Sequence, residues 1–219
     1  MEVTSNKNGK KIQFHLYQRR FITLNACNND KEDVYEGYGM IKCENGSQYS
    51  IILDDGHTII PQEGFTQLER FRDSTRVQSI FTILNETPSC SQVNLITLDT
   101  ILTKDVLPYL PNTDSAGHAP VMLTNAWLAH GFLNFEFAFV GDTKRHMVNL
   151  LQRSAKDELL EFEFRHNDFD DERTKTMLGI VSFRLHPILT KIEKNTKIII
   201  RYNDTDSTTK TIELIYNVK

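Results

Sequence analysis

Between Phe132 and His166 the chain twice alternates apolar and polar residues with a period of two. Leu133, Phe135, Phe137 and Phe139 are interleaved with Asn134, Glu136, Ala138 and Val140, and Leu160, Phe162 and Phe164 with Glu161, Glu163 and Arg165. Side chains along a β-strand point to opposite faces in turn, whereas a helix repeats every 3.6 residues. The two stretches therefore predict strands with one aromatic face turned to a core and one polar face turned away. Burying one Phe side chain contributes on the order of 1.5–3 kcal/mol, so Phe135, Phe137 and Phe162 are the positions on which this part of the chain depends most.

Short apolar runs separated by turn residues fill the rest of the chain from Tyr35 onward, and no segment sustains a helical period. The thirteen Phe and seven Tyr residues favour strands as well. Residues Tyr38 to Cys43 and Gln48 to Leu53 flank Asn45-Gly46, a strong hairpin signal. Asp54-Asp55-Gly56 then turns the chain into His57 to Ile60, which Pro61 and Gly64 end. With Arg76 to Leu84 and Gln92 to Leu102 this makes five strands, a number that suits a small closed barrel.

The run Leu107-Pro108-Tyr109-Leu110-Pro111, followed by polar residues to Gly117, cannot continue a central strand and marks a boundary. Seven further strands are expected beyond it: Val121 to Ala129, Phe132 to Val140, His146 to Gln152, Leu159 to His166, Leu178 to Leu185, Thr196 to Tyr202 and Lys210 to Val218. The predicted fold is all-β, an OB-like five-stranded barrel over residues 34–104 and a seven-stranded immunoglobulin-like β-sandwich over residues 105–219.

Residues 1–33 are set apart from this folded core. The basic stretch from Lys7 to Arg20 leads into Phe21-Ile22-Thr23-Leu24-Asn25-Ala26-Cys27, whose Leu24, Ala26 and Cys27 are placed as in a bacterial lipobox. His15, Gln18, Arg19 and Arg20 interrupt the apolar segment such a signal needs, so a basic tail with an incidental cysteine is the competing reading.

The net charge of −4 supplies no global field to hold a polyanion, which argues against nucleic acid as a default partner. Cys27, Cys43 and Cys90 form neither a CxxC pair nor a metal-ligand spacing, and three cysteines cannot all pair within one chain. Seven histidines are scattered without HxH or HExxH spacing, and no GxSxG, GxGxxG or Walker loop is present, so no catalytic residue, metal or cofactor is assigned. His166 beside Asp168 is the sole arrangement that suggests a base and its orienter, and a histidine bonded to its own loop is the preferred alternative. Asp168, Asp170, Asp171 and Glu172 supply oxygen ligands, but an EF-hand starting at Asp168 requires Gly and Glu where Arg173 and Gly179 stand, which favours a solvated loop.

An OB barrel raises oligosaccharide or single-stranded nucleic-acid binding, for which Lys42, Tyr49, Arg70, Phe71, Arg72 and Arg76 are the groove candidates, with core or rim packing as the alternative for the aromatics. Trp127, the single tryptophan, is expected to anchor the core between the sheets rather than to serve as a binding platform.

The segments Gly37 to Pro61, Val93 to Val106, Trp127 to Leu151 and Leu160 to Glu172 resemble those of NigD-like proteins, most specifically at Ile101 to Val106 and Phe162 to Asp168. These are envelope lipoproteins of Bacteroides and Prevotella relatives, with an N-terminal OB domain and a C-terminal β-sandwich. The resemblance implies an outer-membrane lipoprotein tethered through Cys27, with the membrane reached by a lipid anchor alone. It also implies that Lys31-Glu32-Asp33 is similar to surface-export signals, and that Asp99-Thr100-Ile101 and Asp114-Ser115-Ala116 resemble glycosylation triplets. The family carries no established catalytic or binding residues. The expectation is a non-enzymatic binding or interaction scaffold whose partner is a glycan or another envelope protein, with bacteriocin protection suggested by the family's name.

Overall fold

A computed structural model of the chain describes residues 3–7, 10–14, 20–22, 33–44, 48–62, 68–110, 113–156, 158–206 and 208–218. In chain order its strands begin with β1 (Val3–Lys7), β2 (Lys10–Phe14), β3 (Arg20–Ile22), β4 (Val34–Glu44), β5 (Gln48–Leu53), β6 (Thr58–Pro61), β7 (Arg76–Glu86) and β8 (Cys90–Thr100). They continue with β9 (Leu102–Asp105), β10 (Leu107–Pro108), β11 (Met122–Ala129), β12 (Phe132–Gly141), β13 (Met147–Lys156), β14 (Leu159–Asn167), β15 (Lys175–Arg184), β16 (Thr196–Asn203) and β17 (Thr209–Tyr216). One short helix, α1 (His186–Leu189), precedes β16. The chain divides into two compact units, Leu16–Leu102 and Met1–His15 together with Thr103–Lys219.

In the first unit β4, β5, β6, β8 and β7 follow one another around a barrel, and β7 returns to β4 to close it. The pairings are antiparallel except β6 with β8, where Thr58 faces Cys90 and Pro61 faces Val93 in parallel register. Strand β4 closes the ring because its first half pairs with β7 and its second half with β5, the two registers overlapping at Gly39 and Met40. A Cβ at Gly39 would lie 2.7 Å from the Ile52 carbonyl oxygen, so the strand can turn this corner only with a glycine there. Ile41, Ile51, Ile59, Val77, Phe81 and Val93 fill the interior with zero exposure. Closure leaves this five-stranded sheet no open edge.

The second unit is a sandwich of two sheets, one ordered β11-β12-β15-β9 and the other β10-β13-β14-β16-β17-β1-β2. Each of the seven strands expected from the periodicity is present as β11 to β17. The connectivity differs from an all-antiparallel immunoglobulin sheet: β10 and β13 run parallel, Leu107 facing Leu151, and so do β14 and β16, Leu160 facing Ile198 and Phe162 facing Ile200. Parallel neighbours need a crossover, and between β14 and β16 the chain makes it through β15 in the opposite sheet and α1. Strand pairing also extends into the segment expected to lie outside the folded core. Thr4 of β1 faces Glu213 of β17, β2 pairs with β1, and β3 pairs with β4. Charged residues are tolerated on edge strands, so basic composition does not exclude pairing.

The sandwich core is aromatic at its centre. Phe135 and Phe164 lie 4.9 Å apart between ring centroids, Phe137 and Phe164 5.5 Å, and Phe183 closes on Phe135 edge-on at 6.0 Å. Gly179 of β15 faces Phe137, and a Cβ on it would lie 2.5 Å from the tip of that ring. Trp127 is buried yet lies outside this cluster, because the β11–β12 register puts it across from Asn134 on the opposite face of their sheet. Its expected place between the sheets is taken by Ala126 and the Phe residues. Phe135→Ala should cost about 3–5 kcal/mol in urea denaturation, while Leu178→Ala, at a side chain 83% exposed, should stay within about 0.5 kcal/mol.

Candidate functional site

The six barrel residues singled out as a groove do not share one environment. Arg76 is 1% exposed, and its guanidinium grips both oxygens of Asp54, Nη1 to Oδ1 at 2.5 Å and Nη2 to Oδ2 at 2.6 Å. This fork ties the start of β7 to the turn after β5, so Arg76 is committed to the barrel wall. Tyr49 and Phe71 pack half-buried against the barrel core. Lys42 is exposed and pairs with Glu44 at 2.7 Å, a hydrogen bond that raises its pKa. Arg70 and Arg72 are exposed. Next to Lys42, Asp73 accepts the Cys43 N–H at 2.9 Å, so this surface is mixed in charge rather than basic. Cys27 lies outside the described residues. Cys43 and Cys90 are free thiols. Removing one partner of a buried ion pair leaves the other charge stranded, so Arg76→Ala should lower barrel stability by about 3–5 kcal/mol, read by denaturation of the barrel strands.

At one end of the sandwich the β12–β13 and β14–β15 loops meet. The β13–β14 register places His166 opposite Val148 on the inward face, two residues past Phe164, and leaves it 2% exposed. Its expected partner Asp168 is not the one it finds. His166 Nε2 lies 2.9 Å from Nδ1 of His146, and His146 Nε2 lies 3.1 Å from Asp171 Oδ2. Asp168 instead accepts the Asp170 N–H and pairs with Arg173 at 3.2 Å.

Asp171 also accepts backbone N–H groups from Asp142, Thr143 and Lys144. The Asp142 N–H above all holds its carboxyl far below the usual carboxylate range. An ionised Asp171 can only accept, so His146 donates from Nε2 and, when neutral, accepts at Nδ1 the proton carried on His166 Nε2. The chain of bonds ends at the buried ring of His166, whose other side faces the backbone of Ala119 and Pro120. Burial, then the neighbouring His146, pushes the His166 pKa below its ordinary value, and the ring of Phe139 lies 5.3 Å from it.

Lys144 Nζ donates to the carbonyls of Phe169 and Asp170, two residues held at positive φ, which knits the two loops together a second time. This relay has the order of a catalytic triad, but its terminal histidine is shut off from solvent, and its visible consequence is to lock two loops. Among the described residues no three His, Cys, Asp or Glu side chains are placed to hold a metal ion.

The outward face of the larger sandwich sheet holds a different arrangement, which the periodicity announces but does not detail. Glu161 and Glu163 project from β14, as the alternation predicts. Glu163 is held by Arg153 and, at 2.6 Å, by Nε of Arg165; Glu161 accepts from Arg201 at 3.2 Å. Arg153 sits where the β13–β14 register slips between Gln152 and Ser154, and such a bulge re-aims a side chain. Its guanidinium lies 4.4 Å over the ring of Tyr109. Arg153, Glu161, Glu163, Arg201, Asn203 and Thr209 line a cleft of about 400 Å³. No short motif announces it, since these residues are brought together by the pairing of β13, β14, β16 and β17.

The relay generates a pH dependence of definite sign. His166 binds its proton less readily in the folded chain than in the unfolded one, so stability is complete above its ordinary value of 6.5 and declines as the pH falls below it. Asp171, with a depressed pKa, loses its contribution at lower pH, below its ordinary 3.8 and through its folded value. Melting temperatures measured between pH 7 and 5 should therefore fall with acid, and His166→Phe should flatten that part of the curve.

Residues 38–101 match the NigD-like N-terminal OB domain, and residues 105–216 match the NigD-like C-terminal beta sandwich domain. No curated protein matches the sequence. Among solved structures, a candidate toxin-related protein from Parabacteroides distasonis is 26% identical, with a TM-score of 0.68 over 84% of this chain and 94% of its own. A NigD-like immunity protein from Bacteroides caccae is 18% identical, with a TM-score of 0.64 over 84% of this chain and 97% of its own. A candidate lipoprotein from Bacteroides fragilis is 12% identical, with a TM-score of 0.60 over 85% and 97%. The last two likenesses speak to the fold alone. With a barrel and a sandwich that each match in the family's order, the chain belongs to the NigD-like family.

Proposed function

We propose that this chain is a non-enzymatic cell-envelope lipoprotein that acts as a binding scaffold, with Cys27 as its lipid attachment point once the preceding residues, β1 to β3 among them, have been cleaved off. The observation that carries the reading is the fate of its acid–base groups. His146, His166 and Asp171 are spent on one another behind the surface, as His57 is on Ser91, whereas fixed polar side chains are displayed on the outward sheet face. General acid–base catalysis needs a group within hydrogen-bond reach of the substrate, and a histidine 2% exposed against a Phe ring does not offer one. Membership of the NigD-like family, whose resemblance implied an envelope lipoprotein, supports the location.

A barrel groove for oligosaccharide or single-stranded nucleic acid is the weaker reading, because Arg76 is turned inward and Lys42 is paired beside Asp73. Expressed in a Bacteroides host, the full chain should incorporate labelled fatty acid and fractionate with the outer membrane, and Cys27→Ala should abolish both. Soluble protein unaffected by Cys27→Ala would contradict the tether. Turnover of any substrate by purified protein, lost in His166→Gln, would contradict the non-enzymatic assignment.

A further inference from the structure

We infer that the cleft on the outward face of the sandwich, over β13, β14, β16 and β17, is a binding site for a short neutral oligosaccharide. The inference rests on the reading of the chain as a binding protein and names the ligand class and the place. The cleft, at about 400 Å³, falls within the range of roughly 300–1,000 Å³ typical of small-molecule sites.

Charge selects the ligand. The cleft is lined by two arginines, Arg153 and Arg201, and two glutamates, Glu161 and Glu163, which sum to zero. A polyanion meets the glutamates and a polycation the arginines, and each loses on desolvation what it gains by pairing. A neutral polyol strands no charge. It needs donors and acceptors side by side at fixed positions, and the ion pairs supply them. A guanidinium has five N–H donors and a carboxylate about four acceptor positions, so pairing uses only part of each group's capacity. Asn203 donates its amide N–H to the His118 carbonyl at 3.0 Å, which orients its Oδ1 as an acceptor.

The same groups are held in advance of binding. Glu163 is ion-paired with both Arg153 and Arg165, and the Arg153 guanidinium lies over the ring of Tyr109. The bulge in β13 delivers Arg153 to this face. Preorganisation of this kind lowers the ordering cost of binding a small polar ligand. A peptide suits the site less well. The cleft lies on a sheet face whose strands are already paired, so main-chain strand addition is not offered, and its lining side chains provide no apolar pocket for a peptide side chain.

Amide chemical shifts of the isotope-labelled full chain, titrated with neutral cello-, malto-, xylo- and manno-oligosaccharides, test the inference, with a sulfated oligosaccharide and a neutral peptide as controls. A neutral oligosaccharide should move amides of residues 153, 161–163, 201–203 and 209. Arg153→Ala should weaken it about 10- to 100-fold, the loss of a charge-assisted hydrogen bond, without lowering the melting temperature, because Arg165 still holds Glu163. Arg153→Lys should restore only part of the affinity. Absence of any saccharide response at these amides, an unchanged affinity in Arg153→Ala, or preference for the sulfated sugar or the peptide overturns the inference. Saccharide shifts confined to Lys42, Arg70 and Arg72 overturn it as well, yet leave the binding-protein reading standing. Cleavage of a sugar bound at the cleft does the reverse: it upholds the site and overturns the non-enzymatic reading.

Discussion

The aromatic contact between the two sandwich sheets, Phe135 and Phe137 of β12 against Phe164 of β14 and Phe183 of β15, is the constraint from which the rest of that module follows. Because a strand alternates strictly, fixing Phe162 and Phe164 inward fixes Glu161, Glu163 and Arg165 outward. The charged face is thus the obligatory reverse of the core, and a register slip of one residue would destroy both together. Strand β14 also carries its inward row one step beyond the aromatics, to His166. The buried relay is the continuation of the core into polar residues at the end of the sandwich.

The ion pairs of the two modules serve different physical ends. In the barrel, Arg76 and Asp54 have side chains 0% and 3% exposed, and their bidentate fork satisfies two charges that water does not reach. Breaking such a pair is costly although replacing it whole with apolar residues need not be. On the sandwich face the Arg201 and Lys197 side chains are 44% and 48% exposed in their pairs with Glu161 and Glu213. Exposed pairs of this kind contribute about 0–1 kcal/mol each, too little for stability to be the reason for arranging them. What they do provide is a set of donors and acceptors whose positions are settled before any ligand arrives.

How much of this was legible in the sequence depends on the distance over which each feature is written. The strands β4 to β8 and β11 to β17 could be read because period-two alternation and turn residues are local properties. The parallel pairing of β14 with β16 could not, since the alternation of a strand says which face is buried but not which neighbour it takes. The pairing of β1 and β2 with β17 was hidden by a basic composition that suits an edge as well as a tail. His166 was visible as a candidate, but Asp168 beside it was a local guess. Its true chain of partners, His146 and Asp171, comes from two loops that only the completed sandwich brings to the same end. Arg76 looked like one more groove cation because nothing in its neighbourhood of sequence announces Asp54, 22 residues earlier.

The β13 bulge shows how such a fold acquires specificity without altering its core. On either side of it β13 keeps its register with β14, from Met147 facing Asn167 to Gln152 facing Phe162, and again from Ser154 facing Glu161. Between them one extra residue is accommodated, and it is Arg153, the side chain that touches both Glu163 and Tyr109. A bulge costs a ladder position but leaves the inward aromatic row undisturbed, so a side chain can be re-aimed on the outer face while Leu150, Phe162 and Phe164 stay packed. The outer face of the sheet can therefore change its chemistry through bulges and outward residues, while the core that holds it in place is conserved by the geometry of the strands alone.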